Sequence, residues 1–135
     1  MIKIRQARRG MDDIILSHMA EQRQISYITP NQVQDDVRHN YCYVLTENKK
    51  IKAFGSLVYC PKYHNWAIKR VCVLEEGRGF GKQIVNYVCR HHYASFPLIC
   101  TPWENNTAMR HILENEGFEM KYIFNTKWCM YEYRK

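Results

Sequence analysis

Hydrophobic and polar positions follow two different periods along this chain. Residues 2–7 alternate, with Ile2 and Ile4 on one side, and read as a first strand. Gly10 interrupts the pattern. Asp12 and Asp13 then suit a helix N-terminus, whose dipole favours negative charge. Met11, Ile14, Ile15, His18 and Met19 follow at helical spacing and form the expected apolar face. Pro30 and Asn31 open a second short helix that runs to about Arg38. Residues 41–47 are strand-like, 48–50 make a turn, and 51–60 return as the second arm of a hairpin. A turn over 61–65 leads into another strand over 66–74.

The period then changes. Residues 75–81, EEGRGFG, are punctuated by glycine, and Phe80, Ile84, Val85, Val88 and Cys89 fall on one helical face. Residues 97–101 form a short apolar strand. Asn105 or Asn106 caps a helix that turns Met109, Ile112 and Leu113 inward. Gly117 stands where a left-handed residue ends a helix. Strands over 119–125 and 127–133 close the chain as a hairpin around Asn125. The order β-α-α-β-β-β-α-β-α-β-β predicts an α/β fold on a mixed sheet.

Composition narrows the class. The 135 residues fit one domain, 1–135, and 46% hydrophobic with 24% charged residues is globular composition. The net charge of +7 draws anions without naming one; nucleic acid, acidic lipid headgroups and a phosphate-rich cofactor all satisfy it. No apolar run approaches the ~18–20 residues of a membrane span, and the basic N-terminus lacks the apolar stretch of a secretory signal. Six cysteines without a CxxC pair point to a reduced, cytoplasmic setting. Cys89, His91 and His92 form a CxHH cluster, but no second ligand pair stands at metal-binding spacing, so no metal is expected.

The chemistry concentrates in VCVLEEGRGFGKQIV. It reads strand, tight turn, helix. Gly77, Gly79 and Gly81 let backbone amides approach a ligand at the helix N-terminus, a place suited to phosphate or pyrophosphate. Arg78 and Lys82 add positive charge. The Walker pattern fails because Gln83 follows Lys82, and the dinucleotide pattern fails because Ile84 stands where its third glycine belongs.

At these residues the chain resembles the GNAT superfamily of acetyl-CoA-dependent N-acetyltransferases. Residues 76–81, EGRGFG, match its [RQ]-x-x-G-x-[GA] loop, with Glu76 in place of the first Arg or Gln. Residues 106–118, NTAMRHILENEGF, match a second motif in length, in Asn106 and in the closing Gly-Phe. The resemblance covers nearly the whole chain and implies splayed fourth and fifth strands. It implies that acetyl-CoA lies in their notch, its pantetheine arm along Val71, Cys72 and Val73. Its pyrophosphate would sit on Gly77, Arg78, Gly79, Phe80, Gly81 and Lys82, with Asn106 on the arm. An acceptor amine would attack the thioester directly.

The general acid and base are less evident. Leu113 occupies the position where the family often has a thiol-protonating Tyr, and Asn65 lines up with a glutamate found in some relatives. His64 beside it and Glu75 at the loop entrance are the titratable candidates. Trp103 is placed near the acceptor mouth. Tyr59, Tyr63, His64 and Trp66, interleaved with Lys62 and Lys69, also have the texture of a base-stacking surface. The expected acceptor is therefore a small-molecule or protein amine. A nucleic-acid-linked amine such as aminoacyl-tRNA and a non-catalytic acyl-CoA-binding module are the competing readings. The oligomeric state stays open, a homodimer included.

Overall fold

A computed structural model describes residues 1–22, 28–39, 41–91 and 98–133. Seven strands and four helices follow the expected order: β1 (Ile2–Gln6), α1 (Asp13–Gln22), α2 (Pro30–Arg38), β2 (Cys42–Glu47), β3 (Lys50–Cys60), β4 (Asn65–Val73), α3 (Phe80–His91), β5 (Leu98–Cys100), α4 (Thr107–Glu116), β6 (Glu119–Phe124) and β7 (Trp128–Tyr133). The strands form one sheet in the order β1-β2-β3-β4-β5-β7-β6. All neighbours are antiparallel except β4 and β5.

Local chemistry explains the helix ends. Thr29 caps α2 and Gln32 reaches back to the Thr29 amide, a reciprocal pair that satisfies two otherwise open donors, while Pro30 takes the first helical turn. In α4 the Asn106 Oδ1 accepts from the Met109 amide at 3.1 Å, and Gly117 closes the helix at φ 105°.

Strand alternation divides the core. Val44, Phe54 and Cys72 pack with Leu16, Met19, Val33 and Val37 from α1 and α2. Their neighbours Leu45 and Ala53 point the other way, against Phe80 and Ile84 of α3. Leu113 of α4 is fully buried with Val85, Val88, Phe118 and Tyr131.

The first helix departs from its expected face. Met11, Ile14 and Ile15 are exposed, whereas Leu16, Met19 and Ala20 are buried. Asp12 sets this rotation. Its carboxylate is buried and accepts from Arg5 Nη1 at 2.7 Å and from the Arg8 amide at 2.6 Å. An ion pair that anchors the first turn to β1 outweighs the burial of a few exposed methyl groups.

Candidate active site

The parallel pair β4/β5 is short. Trp66 faces Leu98 and Ala67 faces Ile99, and beyond that the two strands separate. The edge of β4 from Ile68 onward thus turns backbone groups toward a notch instead of toward a neighbouring strand. Opposite, in the β3/β4 ladder, Ser56 pairs with Lys69 and Phe54 with Cys72, so Gly55 stands against both Arg70 and Val71. This is a bulge, and Arg70 takes φ 54° within it. An extra residue of this kind drops out of the ladder and frees its backbone for other partners.

Two cavities meet at this bulge. The larger, about 560 Å³, is walled by Val71, Cys72 and Val73 of β4 and by the loop residues Glu75, Glu76, Gly77 and Gly79. Phe80, Gly81 and Lys82 of α3 close one end, and Asn106, Ala108, Met109 and Ile112 the other side. The smaller, about 260 Å³, is the notch itself. It lies between Ile68, Lys69, Arg70 and Val71 of β4 and the end of β5 with the segment after it, Cys100, Thr101, Pro102 and Trp103, with Met109 and Trp128. Val71, Asn106 and Met109 belong to both, so the two adjoin along these residues.

The loop end opens onto a helix N-terminus. The Gln83 amide donates to the Gly79 carbonyl at 3.1 Å, which makes Gly79 the cap of α3. The first amides of α3 therefore have no acceptor within the helix. Gly77 and Gly79 have φ 82° and 76°, and a Cβ on either would meet nothing within 4 Å. Their need for glycine is the left-handed backbone that aims the loop, with open space in front of it.

Nine of the ten residues expected to hold the cofactor line the larger cavity; Arg78 does not. Its guanidinium makes two bonds to Glu47, at 3.0 and 2.6 Å, lies 3.7 Å from Glu75, and stacks 4.7 Å over the Phe80 ring. The Glu47 hydrogen bond leads in raising the Arg78 pKa and in lowering that of Glu47. Arg78 thus braces the loop against β2, and Lys82 is the cation that faces the cavity. Asn106 spends its Oδ1 on the α4 cap, so its Nδ2 amide is what it offers a ligand.

The titratable candidates do not reach the notch. His64 sits in the β3–β4 turn at φ 52°, lining neither cavity. At about 3.3 Å per strand residue it is roughly 20 Å from Val71. Glu75 lines the larger cavity on the loop side, 3.7 Å from both Lys52 and Arg78. Sequence proximity placed both near the reaction; the direction of β4 places them at its two ends. Arg70, in the β4 bulge, is paired with Asp36 of α2.

The aromatic hairpin packs on itself. Tyr59 and Tyr41 stand edge-on to Trp66 at 5.5 and 5.0 Å, and Lys62 lies over Tyr63, while Tyr41 and Tyr59 stay exposed. His91 stacks on Tyr87, and His92 lies outside the described residues. Among the described residues no group of His, Cys, Asp and Glu is arranged for a metal.

Trp103 is where the acceptor mouth was expected. An isolated bridge pairs it with Trp128, the rings meeting edge-on at 5.1 Å. Trp128 escaped sequence reasoning because its side of the final hairpin is set by pairing with 102–104. Cys100 in the notch wall is buried, which pushes its thiol up to about 12, so it stays protonated near neutrality.

No protein-family model and no curated protein matches the chain. Solved structures do. An acetyltransferase of the GNAT family from Bacillus cereus superposes with a TM-score of 0.87 at 15% identity, covering 100% of this chain and 98% of its own. A GNAT-family acetyltransferase from Streptococcus agalactiae gives 0.81 at 17% identity, over 99% and 95%. YncA from Salmonella typhimurium, solved with its cofactor acetyl-CoA, gives 0.74 at 14% identity, over 98% and 93%. The chain has the GNAT fold along its whole described length. Among the described residues no helix is long and apolar enough to cross a membrane.

Proposed function

We propose that this chain is an N-acetyltransferase that moves an acetyl group from acetyl-CoA to a primary amine within a ternary complex. The observation that carries the reading is that the two cavities adjoin at Val71, Asn106 and Met109. One cavity ends at a helix N-terminus suited to a pyrophosphate, and the other opens beside an unpaired strand edge. A long ligand with an anionic end and a reactive tip fits the first, and a second substrate reaches that tip from the notch.

Acetyl-CoA supplies an activated thioester. The amides at the start of α3 and Lys82 would hold the diphosphate. The free edge of β4 at Val71 and Val73 would pair with the amides of the arm, and the Asn106 Nδ2 would donate to it. A backbone N–H at the Arg70–Val71 bulge would donate to the carbonyl oxygen, where charge develops as the amine adds. The nitrogen lone pair forms the new C–N bond, the C–S bond breaks, the sulfur keeps its electron pair and gains a proton, and the amine loses one. Leu113 is buried and contributes no proton. Water in the open notch carries the amine proton, and positioning supplies most of the rate.

The test is direct. Incubation with acetyl-CoA and an amine panel should release CoA and form the N-acetyl product, both followed by mass spectrometry. Tight CoA binding with no product from any amine would favour the acyl-CoA-binding module instead.

A further inference from the structure

Lys69 and the Trp103–Trp128 pair give the notch a chemical bias. Lys69 lines it, and among the described residues no carboxylate pairs with its ammonium. The other cation in the wall, Arg70, is neutralised by Asp36. The remaining surface joins apolar side chains, Ile68, Pro102 and Met109, and the two flat tryptophans to the neutral polar groups of Thr101 and Asn106. All 13 Asp and Glu residues of the chain fall within the described residues, and none lines the notch. Glu104 lines a separate outer hollow beyond Trp103.

We infer that the acceptor is a compact aromatic amine that carries a carboxylate, of the class of an aromatic α-amino acid, with Lys69 as the residue that selects the carboxylate. The inference rests on the acetyl-transfer reading and deepens it. A polyamine, an aminoglycoside or a lysine-rich peptide brings several positive charges, and such ligands need carboxylates that this site lacks. An aromatic amino acid brings a ring for the tryptophan wall and one negative charge for Lys69. The lysine does a second thing. A nearby positive charge disfavours the ammonium form of the acceptor, which raises the share of neutral, nucleophilic amine.

The experiment compares L-phenylalanine and L-tryptophan with phenethylamine and tryptamine, which lack only the carboxylate, and with spermidine. Product is read by mass spectrometry, because the chain's own thiols react with thiol dyes. The amino acids should exceed their decarboxylated analogues in kcat/KM by about tenfold to a hundredfold, the range of a charge-assisted contact. Lys69→Met should erase that gap, lowering the amino acids far more than tryptamine. Lys69→Arg should restore part of it. Trp103→Ala should lower all aromatic acceptors.

Calorimetric titration of L-phenylalanine into CoA-loaded protein separates this inference from the acetyl-transfer reading. Lys69-dependent binding without product keeps the notch assignment and removes the acetyltransferase. Efficient acetylation of spermidine, or equal losses for amino acid and amine in Lys69→Met, keeps the transferase and overturns the aromatic carboxylate. Absence of both binding and turnover with aromatic amino acids overturns it as well.

Discussion

Arg70 and Asp36 hold each other through two bonds, Nε to Oδ2 at 2.6 Å and Nη2 to Oδ1 at 2.8 Å. Both side chains are largely buried, at 13% and 8% exposure, so the pair is an internal strut and not a surface contact. It ties the β4 bulge, where the proposed reaction takes place, to α2 on one face of the sheet. Asp36→Ala leaves the Arg70 guanidinium buried without its partner. The expected cost is about 3–5 kcal/mol in urea denaturation. A loss below about 1 kcal/mol would show that the bulge does not depend on this strut.

The loop should rank its residues in a definite order. Gly79→Asp adds negative charge and strains a left-handed backbone at the helix cap, and CoA affinity should fall beyond detection. Lys82→Ala should weaken CoA by about tenfold, the loss of one charge-assisted contact. Arg78→Ala should weaken it less than Lys82→Ala, because Glu47 already occupies the guanidinium. Isothermal titration with CoA reads all three. A larger loss for Arg78→Ala would mean that Arg78 releases Glu47 and turns to the phosphates.

Catalysis should depend on pH through the acceptor. His64 and Glu75 lie away from the notch, and Cys100 is held protonated by burial. The log of kcat/KM should therefore rise with unit slope up to the ammonium pKa of whichever amine is used, and shift when the amine is changed. A break near neutrality that stays fixed across acceptors would reveal a protein base. Initial-rate lines should intersect, since Cys100 forms no acyl intermediate; parallel lines would contradict direct transfer.

Asp12 makes stability sensitive to acid. Burial alone raises its pKa, but the Arg5 hydrogen bond, the Arg8 amide and the attraction of both guanidinium groups outweigh burial and leave it lowered. A carboxylate lowered in the folded state contributes its stability above the unfolded value near 4 and loses it as pH falls through the folded value. Asp12→Asn should cost about 1.5–3 kcal/mol at neutral pH. The difference from the parent chain should shrink below about pH 4, measured by thermal unfolding across pH. A difference independent of pH would assign the effect to packing.

What was legible in advance follows the range of the forces involved. Alternation, capping chemistry and glycine spacing act between residues a few positions apart, so the element order, an asparagine cap at Asn105 or Asn106 and the loop at Gly77 and Gly79 were readable one segment at a time. The face of α1 was not. Met11, Ile14 and Ile15 match a helical period as well as Leu16 and Met19 do, and the choice was made by Asp12 bonding to Arg5 of another element.

The sequence by itself determined the elements, their order and the anion-binding loop, because each depends on local geometry. Only the tertiary structure decided which charges are spent and which are left to act. Arg78 goes to Glu47 and Arg70 to Asp36, partners 31 and 34 residues away, while Lys69 lines the notch beside Trp103 and Trp128. Side chains so far apart in the chain meet only when strands pair, and strand pairing is what aims a lysine at a cavity or a carboxylate.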